Sequence, residues 1–250
     1  MMGRRAEIRE IGWVLPSGVG AGAEILAHPE WLDWRAADNR ALSEFSARDY
    51  LRSVKGYLDP SGACFLAAAS LALGWKTRPQ VPGIRDRVGL ATVTLYGAPL
   101  SGYRFYEQLR QKGARLASPL LFPQSYANTP AALAAIEFGL GGPHMVFGGS
   151  AEVLDALDFA LARLHDGTAE EMLVGAFEAV SAGPCPDGLE VLNGGLVLRL
   201  GLTPDAASPL RLAVTDDVLA GPPVRDRTEA GAVHAMLSFL QTLPPATVGV

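Results

Sequence analysis

The sequence has few charges, few cysteines and no long apolar run. Charged residues make up 19% of its 250 residues and apolar residues 49%, which is typical of a folded chain with a sizeable core and argues against disorder. The net charge is −5 and no basic run stands out, so we expect neither nucleic acid nor an anionic membrane as a partner. The longest apolar runs, such as 65–73, are too short to span a bilayer.

The N-terminus and the cysteines favour an intracellular protein. Residues 1–13 contain three arginines but no apolar core of a signal peptide, so we expect a cytoplasmic location. The two cysteines, Cys64 and Cys185, do not have metal-ligand spacing, and we expect neither a metal nor a cofactor. Cys64 lies in an apolar helical pattern and is predicted to be buried. Cys185 lies between two prolines and is predicted to be exposed.

Strand and helix patterns alternate along the chain, which predicts an α/β layered sheet. Strands are predicted at 6–15, 87–96, 145–147, 172–180, 196–200 and 210–214, and the last two are expected to be neighbours. Helices are predicted at 61–73, 101–113, 129–140, 151–164 and 228–243. Ser61 and Thr228 are the predicted caps of the first and last of these helices.

The segment 128–158 carries the most informative pattern. It predicts a helix, a glycine turn, a short apolar strand, a tight turn at Gly148-Gly149-Ser150 and a second helix capped by Ser150. A strand, a turn of small residues and a helix is how many α/β enzymes present a nucleophile, because the turn exposes one side chain at the positive end of the helix dipole.

This segment resembles the active-site region of the β-ketoacyl synthases, which have an apolar helix, Gly-Pro, an apolar strand and a small-residue turn with the catalytic cysteine. Further segments resemble the family in the same order: IGWVLPSGVGAGAE, CFLAAASLALGW, RVGLATVTLYGAPLSGYRFYEQL, SPLLFPQSYANTPA, DGTAEEMLVGAFEAVS and NGGLVLRL. The resemblance implies an α/β fold, a single thiolase-like half-domain with a mixed five-stranded sheet and helices on its faces. We expect one domain over 1–250, with a core at about 6–215 and a C-terminal extension, 216–250, whose helix covers part of the apolar face.

The catalytic groups of the family are missing from this sequence. Counted from Gly142-Pro143 without a gap, the cysteine position falls on Ala151, and with a gap of one residue it falls on Glu152. Neither residue is a thiol, and the sequence leaves both alignments open. The family's second half carries two histidines and a lysine, including an HGTGT motif, and these motifs do not occur here.

The resemblance therefore implies a catalytically inert subunit similar to a chain-length factor. Such a subunit pairs with a full-length β-ketoacyl synthase as a heterodimer, or with itself as a homodimer, and shapes the tunnel for acyl chains bound to an acyl carrier protein. The implied pathway is of the type II polyketide, aryl-polyene or fatty-acid-like kind. The implied interface strand is His144, Met145, Val146, Phe147 and Gly148, and the tunnel-lining candidates are Phe147, Gly148 and Glu152.

Two other functions fit the sequence. A divergent acyltransferase or thioester hydrolase would use Ser150, or Cys185 brought in by the fold, but a hydroxyl nucleophile needs a base and GGSAE departs from G-x-S-x-G. A stand-alone homodimeric binding or scaffold protein would need no ketosynthase. Each candidate residue also has a structural interpretation: Ser150 as a helix cap, Glu152 as a stabiliser of the helix dipole and His144 as a structural strand residue.

Overall fold

The computed structural model describes residues 3–32, 42, 45–53, 56–77, 83–180, 191–204, 210, 212–220 and 230–243. Its strands are β1 (Arg5–Leu15), β2 (Gly18–Ala21), β3 (Val88–Thr94), β4 (His144–Gly148), β5 (Glu171–Glu178), β6 (Gly194–Gly201) and β7 (Ala213–Thr215). Its α-helices are α1 (Pro60–Leu73), α2 (Pro99–Lys112), α3 (Thr129–Phe138), α4 (Val153–His165), α5 (Asp216–Leu219) and α6 (Gly231–Thr242).

One mixed sheet organises the fold, in the order β2-β1-β6-β5-β3-β4. β3 pairs in parallel with β4 and β5, whereas β6 is antiparallel to both β5 and β1. The predicted mixed five-stranded sheet is therefore confirmed as the centre, β1-β6-β5-β3-β4. The sheet contains two further strands, because β2 and β7 both pair with β1.

Helices cover both faces of the sheet. α1 and α3 pack on one face, where the apolar cluster includes Phe65, Phe138 and Phe177. α4 and α6 pack on the other face, where Leu157 and Met236 belong to the second cluster. The strands between these layers are buried on both sides, and all seven residues of β3 are buried. Strands that are covered by helices on both faces are apolar throughout, which is the pattern that predicted internal strands.

α1 lies so close to the sheet that a glycine of the sheet facing it has no room for a side chain. A Cβ on Gly195 would lie 2.6 Å from the backbone carbonyl carbon of Cys64, a distance that real structures do not accommodate. Cys64 is buried, as predicted. Burial raises the pKa of its thiol to about 12, so the thiol stays protonated and unreactive at neutral pH.

Three local predictions were wrong. The cap of α1 is Asp59, which accepts from the Ser61 amide at 3.0 Å, because Ser61 lies inside the helix. Ser150 does not cap α4, because the helix begins at Val153 and not at the predicted residue 151. Its N-cap residue is Glu152, which makes no side-chain cap bond. β7 is not a neighbour of β6. Both strands pair with β1, but β6 pairs along one edge of β1 and β7 pairs with the first residues of the opposite edge.

α6 is the last of the predicted helices, and it packs on one face of the sheet. Val233, Met236 and Leu237 are fully buried in the cluster on that face. The predicted helix start at Thr228 and the predicted exposure of Cys185 lie outside the described residues. Within the described ranges, each helix is too short or too polar to cross a membrane.

Candidate functional site

The turn between β4 and α4, residues 148–152, is called the elbow turn here. Gly149 has φ +73°, a left-handed conformation that favours glycine, and a Cβ there would meet nothing within 4 Å. The glycine is therefore required by the backbone and not by crowding. The amides of Gly149 and Ser150 both donate to the Thr94 carbonyl, at 2.9 and 3.3 Å. These bonds anchor the elbow turn to the end of β3.

Ser150 is held in a local turn and is not activated. Its Oγ accepts a hydrogen bond from the Glu152 amide at 3.0 Å, which is its one hydrogen bond among the residues that the structure describes. A nucleophilic hydroxyl needs a base within hydrogen-bond reach. The described geometry thus gives Ser150 the role of shaping the turn.

The two candidates for the cysteine position are placed differently. Ala151 is 5% exposed and belongs to the apolar cluster below α4. Glu152 is exposed at the start of α4. A methyl group cannot hold an acyl chain covalently, and an exposed carboxylate without an oriented partner is a poor nucleophile. The alignment of either residue with the family's cysteine stays a prediction.

β4 forms an edge of the sheet. It pairs with β3 from Leu90 opposite His144 to Thr94 opposite Gly148, and its other edge has no strand beside it within the described chain. All five residues of β4 are exposed or half-buried, and Met145 is 42% exposed. The pKa of His144 is lowered by desolvation, so the imidazole is neutral at pH 7. This strand therefore presents a short apolar edge with free backbone groups.

A second exposed surface adjoins β4, and sequence reasoning missed it. In α2, Ser101 is buried, whereas the rest of the helix is exposed or half-buried. The exposed large apolar side chains of α2 and the loop after it are Tyr103, Tyr106, Leu109, Leu116, Leu120, Phe122 and Tyr126. The aromatic residues of YRFYEQL on a helix with charged neighbours were the available signal.

The loop after α2 ends beside the last residue of β4. A Cβ on Gly148 would lie 3.4 Å from the Cβ of Ala127, so the end of β4 contacts the end of the loop. Within the loop, the Phe122 ring packs against Phe105 at 5.2 Å and against Tyr126 at 5.1 Å. We call β4, α2 and the loop 113–128 together the open side. Exposed apolar side chains that are grouped in this way are typical of interaction sites.

A buried carboxyl group lies two strands away from the elbow turn. Glu178, at the end of β5, is 0% exposed. It accepts from the amides of Leu95, Tyr96 and Ala232 at 2.6, 3.2 and 3.1 Å, and from Thr94 Oγ1 at 3.3 Å. Burial is the largest cause of its shifted pKa, which is raised to about 7. The signal in the sequence was a glutamate that ends an otherwise apolar strand.

The cavities lined by described residues include two that bear on the tunnel candidates. One, of about 290 Å³, lies between Phe45, Leu51 and Tyr57. The other, of about 370 Å³, lies between Leu26, Leu212 and Leu240. The tunnel-lining candidates Phe147, Gly148 and Glu152 line neither of these two cavities. Their role in a tunnel stays a prediction.

Comparison with known proteins identifies solved structures with a similar fold. No protein-family model and no curated protein matches the sequence. A chain of the ishigamide ketosynthase/chain length factor is similar in structure, with a TM-score of 0.64 and 21% identity over 84% of this chain. A chain of AntDE:AntF, a type II polyketide acyl-carrier protein in complex with its ketosynthase bound to the hexaketide, has a TM-score of 0.66 and 18% identity over 80% of this chain.

A third similar structure is the ketosynthase ApeO in complex with its chain length factor ApeC, from Xenorhabdus doucetiae. Its TM-score is 0.56, with 17% identity, and the match covers 82% of this chain and 80% of that one. The chain spans 65% and 63% of the length of the first two neighbours. It thus has the thiolase-like fold of ketosynthases and chain length factors.

Proposed function

We propose that this chain is a catalytically inert, ketosynthase-like subunit of the chain-length-factor type, which pairs with an active β-ketoacyl synthase through its open side. The observation that carries the proposal is an exposed apolar edge and helix on a ketosynthase fold whose elbow turn contains no thiol. The pathway would be of the type II polyketide, aryl-polyene or fatty-acid-like kind, with acyl chains bound to a carrier protein as the ligand.

Inertness is proposed from the chemistry of the elbow turn. Condensation needs a thiolate to hold the acyl chain and further groups to stabilise the developing enolate. Ala151 offers a buried methyl group and Glu152 an exposed carboxylate, and the Ser150 hydroxyl is engaged with the Glu152 amide. The active partner would supply the cysteine and both histidines. Of the two alignments we favour Ala151, because it needs no gap.

Pairing is proposed from the exposure of the open side. A 14-residue helix is marginal in water unless an apolar face packs against something, and in α2 one residue, Ser101, is buried. The exposed aromatic rings of α2 and of the loop that ends beside Gly148 would pack against the partner. β4 would pair edge to edge with the partner's corresponding strand, which satisfies its free backbone groups.

The tunnel would be completed by the partner. Phe147 is half-buried and packs against the apolar cluster below α4. Gly148 and Glu152 are exposed beside it. These three residues would line one wall of the acyl tunnel, and the wall would close when the ketosynthase covers the open side.

Co-expression tests the proposal. The tagged chain is produced with the ketosynthase encoded nearest to it, and the eluate is examined by size-exclusion chromatography and a condensation assay. We expect a heterodimer whose activity or product length depends on this chain. The variant Met145→Asp is expected to weaken pairing at least about tenfold, since it buries a charge in the interface. Leu202→Asp is the matched control, because Leu202 is 47% exposed but follows β6, away from the open side.

Two results would contradict the proposal. A stable homodimer that ignores the ketosynthase would replace it with the scaffold hypothesis. Pairing that survives Met145→Asp as well as it survives Leu202→Asp would remove the open side from the interface.

The thioester-hydrolase hypothesis has a separate test. We expect Ser150→Ala to leave any basal thioester hydrolysis unchanged, because the hydroxyl has no described base. A loss of hydrolysis in that variant would revive the enzyme hypothesis.

A further inference from the structure

The open side differs in charge from the rest of the chain. The segment 99–128, which forms α2 and the loop after it, contains four cations and one carboxylate. β4 adds no charge at neutral pH, because desolvation lowers the pKa of His144 and no other side chain of the strand titrates. The whole chain has a net charge of −5, so the open side carries +3 and the remainder of the chain −8.

Three of the four cations have no carboxylate partner. The fourth, Arg110, is paired with Glu107 at 3.1 Å, and this pair engages the one carboxylate of the segment. Arg104, Lys112 and Arg115 are exposed and form no ion pair with any residue that the structure describes. These three residues are called the free cations here. Their charges remain available to a partner.

The free cations lie among the exposed apolar side chains of the open side. Leu109 precedes Lys112 by three residues in α2, so the two side chains share one face of the helix. Arg115 directly precedes Leu116, which is 68% exposed. A partner that covers these leucines also desolvates the neighbouring cations. Because a cation that is desolvated without a counter-charge costs free energy, a purely apolar partner surface fits the open side poorly.

A second copy of the chain fits the open side poorly for the same reason. A symmetric dimer uses the same patch on both subunits, so it would bring two patches of +3 together. Like charges that face each other across an interface oppose pairing. The next acidic residues along the chain after β4 are Glu152 and Asp155, and they belong to the elbow turn and α4.

We propose that the free cations select the partner of the open side. They favour a partner whose apolar contact surface is bordered by carboxylates, and they disfavour a second copy of this chain. The inference rests on the proposed pairing with a ketosynthase and adds the chemistry of the surface that the ketosynthase would present. It gives a physical reason for a heterodimer to form in preference to a homodimer.

Salt should act in opposite directions on the two kinds of pairing. Attraction between opposite charges steers the encounter of two proteins, and dissolved salt screens it. The screening length falls from about 10 Å at about 0.1 M salt to about 3 Å at about 1 M. A heterodimer steered by the free cations should therefore form more slowly at high salt, whereas self-association that the cations oppose should become stronger.

Association kinetics with the ketosynthase encoded nearest to the chain test the inference. The test variant has glutamine in place of all three free cations. The control variant is Arg5→Gln, Lys76→Gln and Arg87→Gln, which removes three exposed cations outside the open side and gives the same net charge. We expect the association rate of the unmodified pair to fall at least about fivefold between about 0.1 M and 1 M salt. At the lower salt concentration we expect the test variant to associate at least about fivefold more slowly and the control variant to change less than about twofold.

Two further probes separate the other acidic or apolar surfaces. Sedimentation of the chain alone measures self-association, which we expect to be stronger at high salt and stronger in the test variant than in the control variant. Vesicles of phosphatidylglycerol and phosphatidylcholine measure attraction to an anionic membrane, and we expect the chain not to bind them at about 0.1 M salt.

The outcomes separate the inference from the proposed function. A heterodimer that forms equally fast with the test and control variants would overturn the inference and leave the proposed function in place. Absence of a heterodimer at every salt concentration would contradict the proposed function, and the inference would fall with it. Self-association that weakens as salt rises would show that a second copy complements the patch, and would overturn the inference. Vesicle binding that the test variant loses would assign the free cations to a membrane, and would also overturn it.

Discussion

β4 and β5 are the two parallel neighbours of β3, and they differ in almost every other respect. In β5, seven of the eight residues are buried, whereas all five residues of β4 are exposed or half-buried. Both strands are apolar in sequence. The difference comes from position, because helices cover β5 on both faces and β4 ends the sheet. The exposed apolar edge of β4 is the surface through which we propose that the chain pairs with a partner.

The largest expected effect comes from removing one aromatic side chain from each of these two strands. Phe177 on β5 is fully buried and packs on Phe65 with ring centroids 5.2 Å apart. We expect Phe177→Ala to lower the free energy of unfolding by about 3–5 kcal/mol, since it removes a core aromatic and leaves a cavity. Phe147→Ala on half-buried β4 is the matched variant, with an expected cost of about 1–2 kcal/mol.

Urea unfolding of the isolated chain measures both values. In a pairing assay we expect the order of the two effects to reverse. Phe147→Ala is expected to weaken the heterodimer, whereas Phe177→Ala is expected to act only through stability. Equal costs of unfolding in the two variants would mean that β4 is as well packed as β5, and the comparison would fail.

The sequence predicted the packed part of the fold well. β3 was predicted at 87–96 and lies at Val88–Thr94, and α1 was predicted at 61–73 and lies at Pro60–Leu73. These elements are defined by long apolar runs bounded by glycine and proline, so local pattern and burial agree. The elbow turn was also predicted, because glycine readily adopts the left-handed conformation that a tight turn needs, as Gly149 does at φ +73°.

Features that depend on tertiary contacts could not be predicted. The pattern of α2 gave a helix but not its exposure, since an exposed aromatic and a buried aromatic look alike in sequence. The cap of α1 was assigned to Ser61, although the buried Asp59 two residues earlier makes the bond. Glu178 gave no signal beyond its unusual position, because its donors come from residues 94–96 and 232.

The second prediction concerns the ionisation of Glu178, which is buried at the end of β5. A pKa raised to about 7 in the folded state means that the folded chain binds more protons than the unfolded chain between about pH 4.5 and pH 7. The contribution of Glu178 is therefore most favourable at low pH and is lost as pH rises through 7, by about 3 kcal/mol. Urea unfolding at pH 5 and pH 8, in the chain and in Glu178→Gln, isolates this contribution as a difference.

His144 acts in the opposite direction and on the open side. Its pKa is lowered by desolvation, so its contribution to stability grows as pH rises through the ordinary value of 6.5. The unmodified chain and Glu178→Gln both contain His144, so its contribution cancels in the difference between their unfolding free energies. A difference that is independent of pH would show that Glu178 is ionised throughout the range.

The third prediction tests Asp59, which connects buried α1 to α2 on the open side. Asp59 is 2% exposed and accepts from Ser61 Oγ in α1 at 2.8 Å and from the Ser101 amide in α2 at 2.8 Å. We expect Asp59→Ala to cost about 2 kcal/mol of unfolding free energy, because it removes a cap and leaves buried donors unpaired. Ser61→Ala keeps the capping carboxylate and is expected to cost less than about 1 kcal/mol.

Hydrogen exchange locates the damage in these variants. With Asp59→Ala, the first turn of α2 is expected to lose more protection than the rest of α1, since α2 has little other burial to hold it. Equal loss in both helices would mean that α2 is held by contacts other than Asp59.

The smallest expected effect separates two glycines of the open side. Gly149 in the elbow turn has φ +73° and Gly113 at the end of α2 has φ +75°, and a Cβ on either would meet nothing within 4 Å. Alanine is therefore strained at both positions, by about 1 kcal/mol or more, and Gly113 has the further constraint of ψ 166°. In the heterodimer assay the two variants should differ, because Gly149 directs the chain from β4 into α4 beside the proposed tunnel wall. We expect Gly149→Ala to alter product length or pairing while Gly113→Ala alters stability alone. Identical behaviour of the two variants in both assays would remove the elbow turn from the proposed function and leave the interface to β4 and α2.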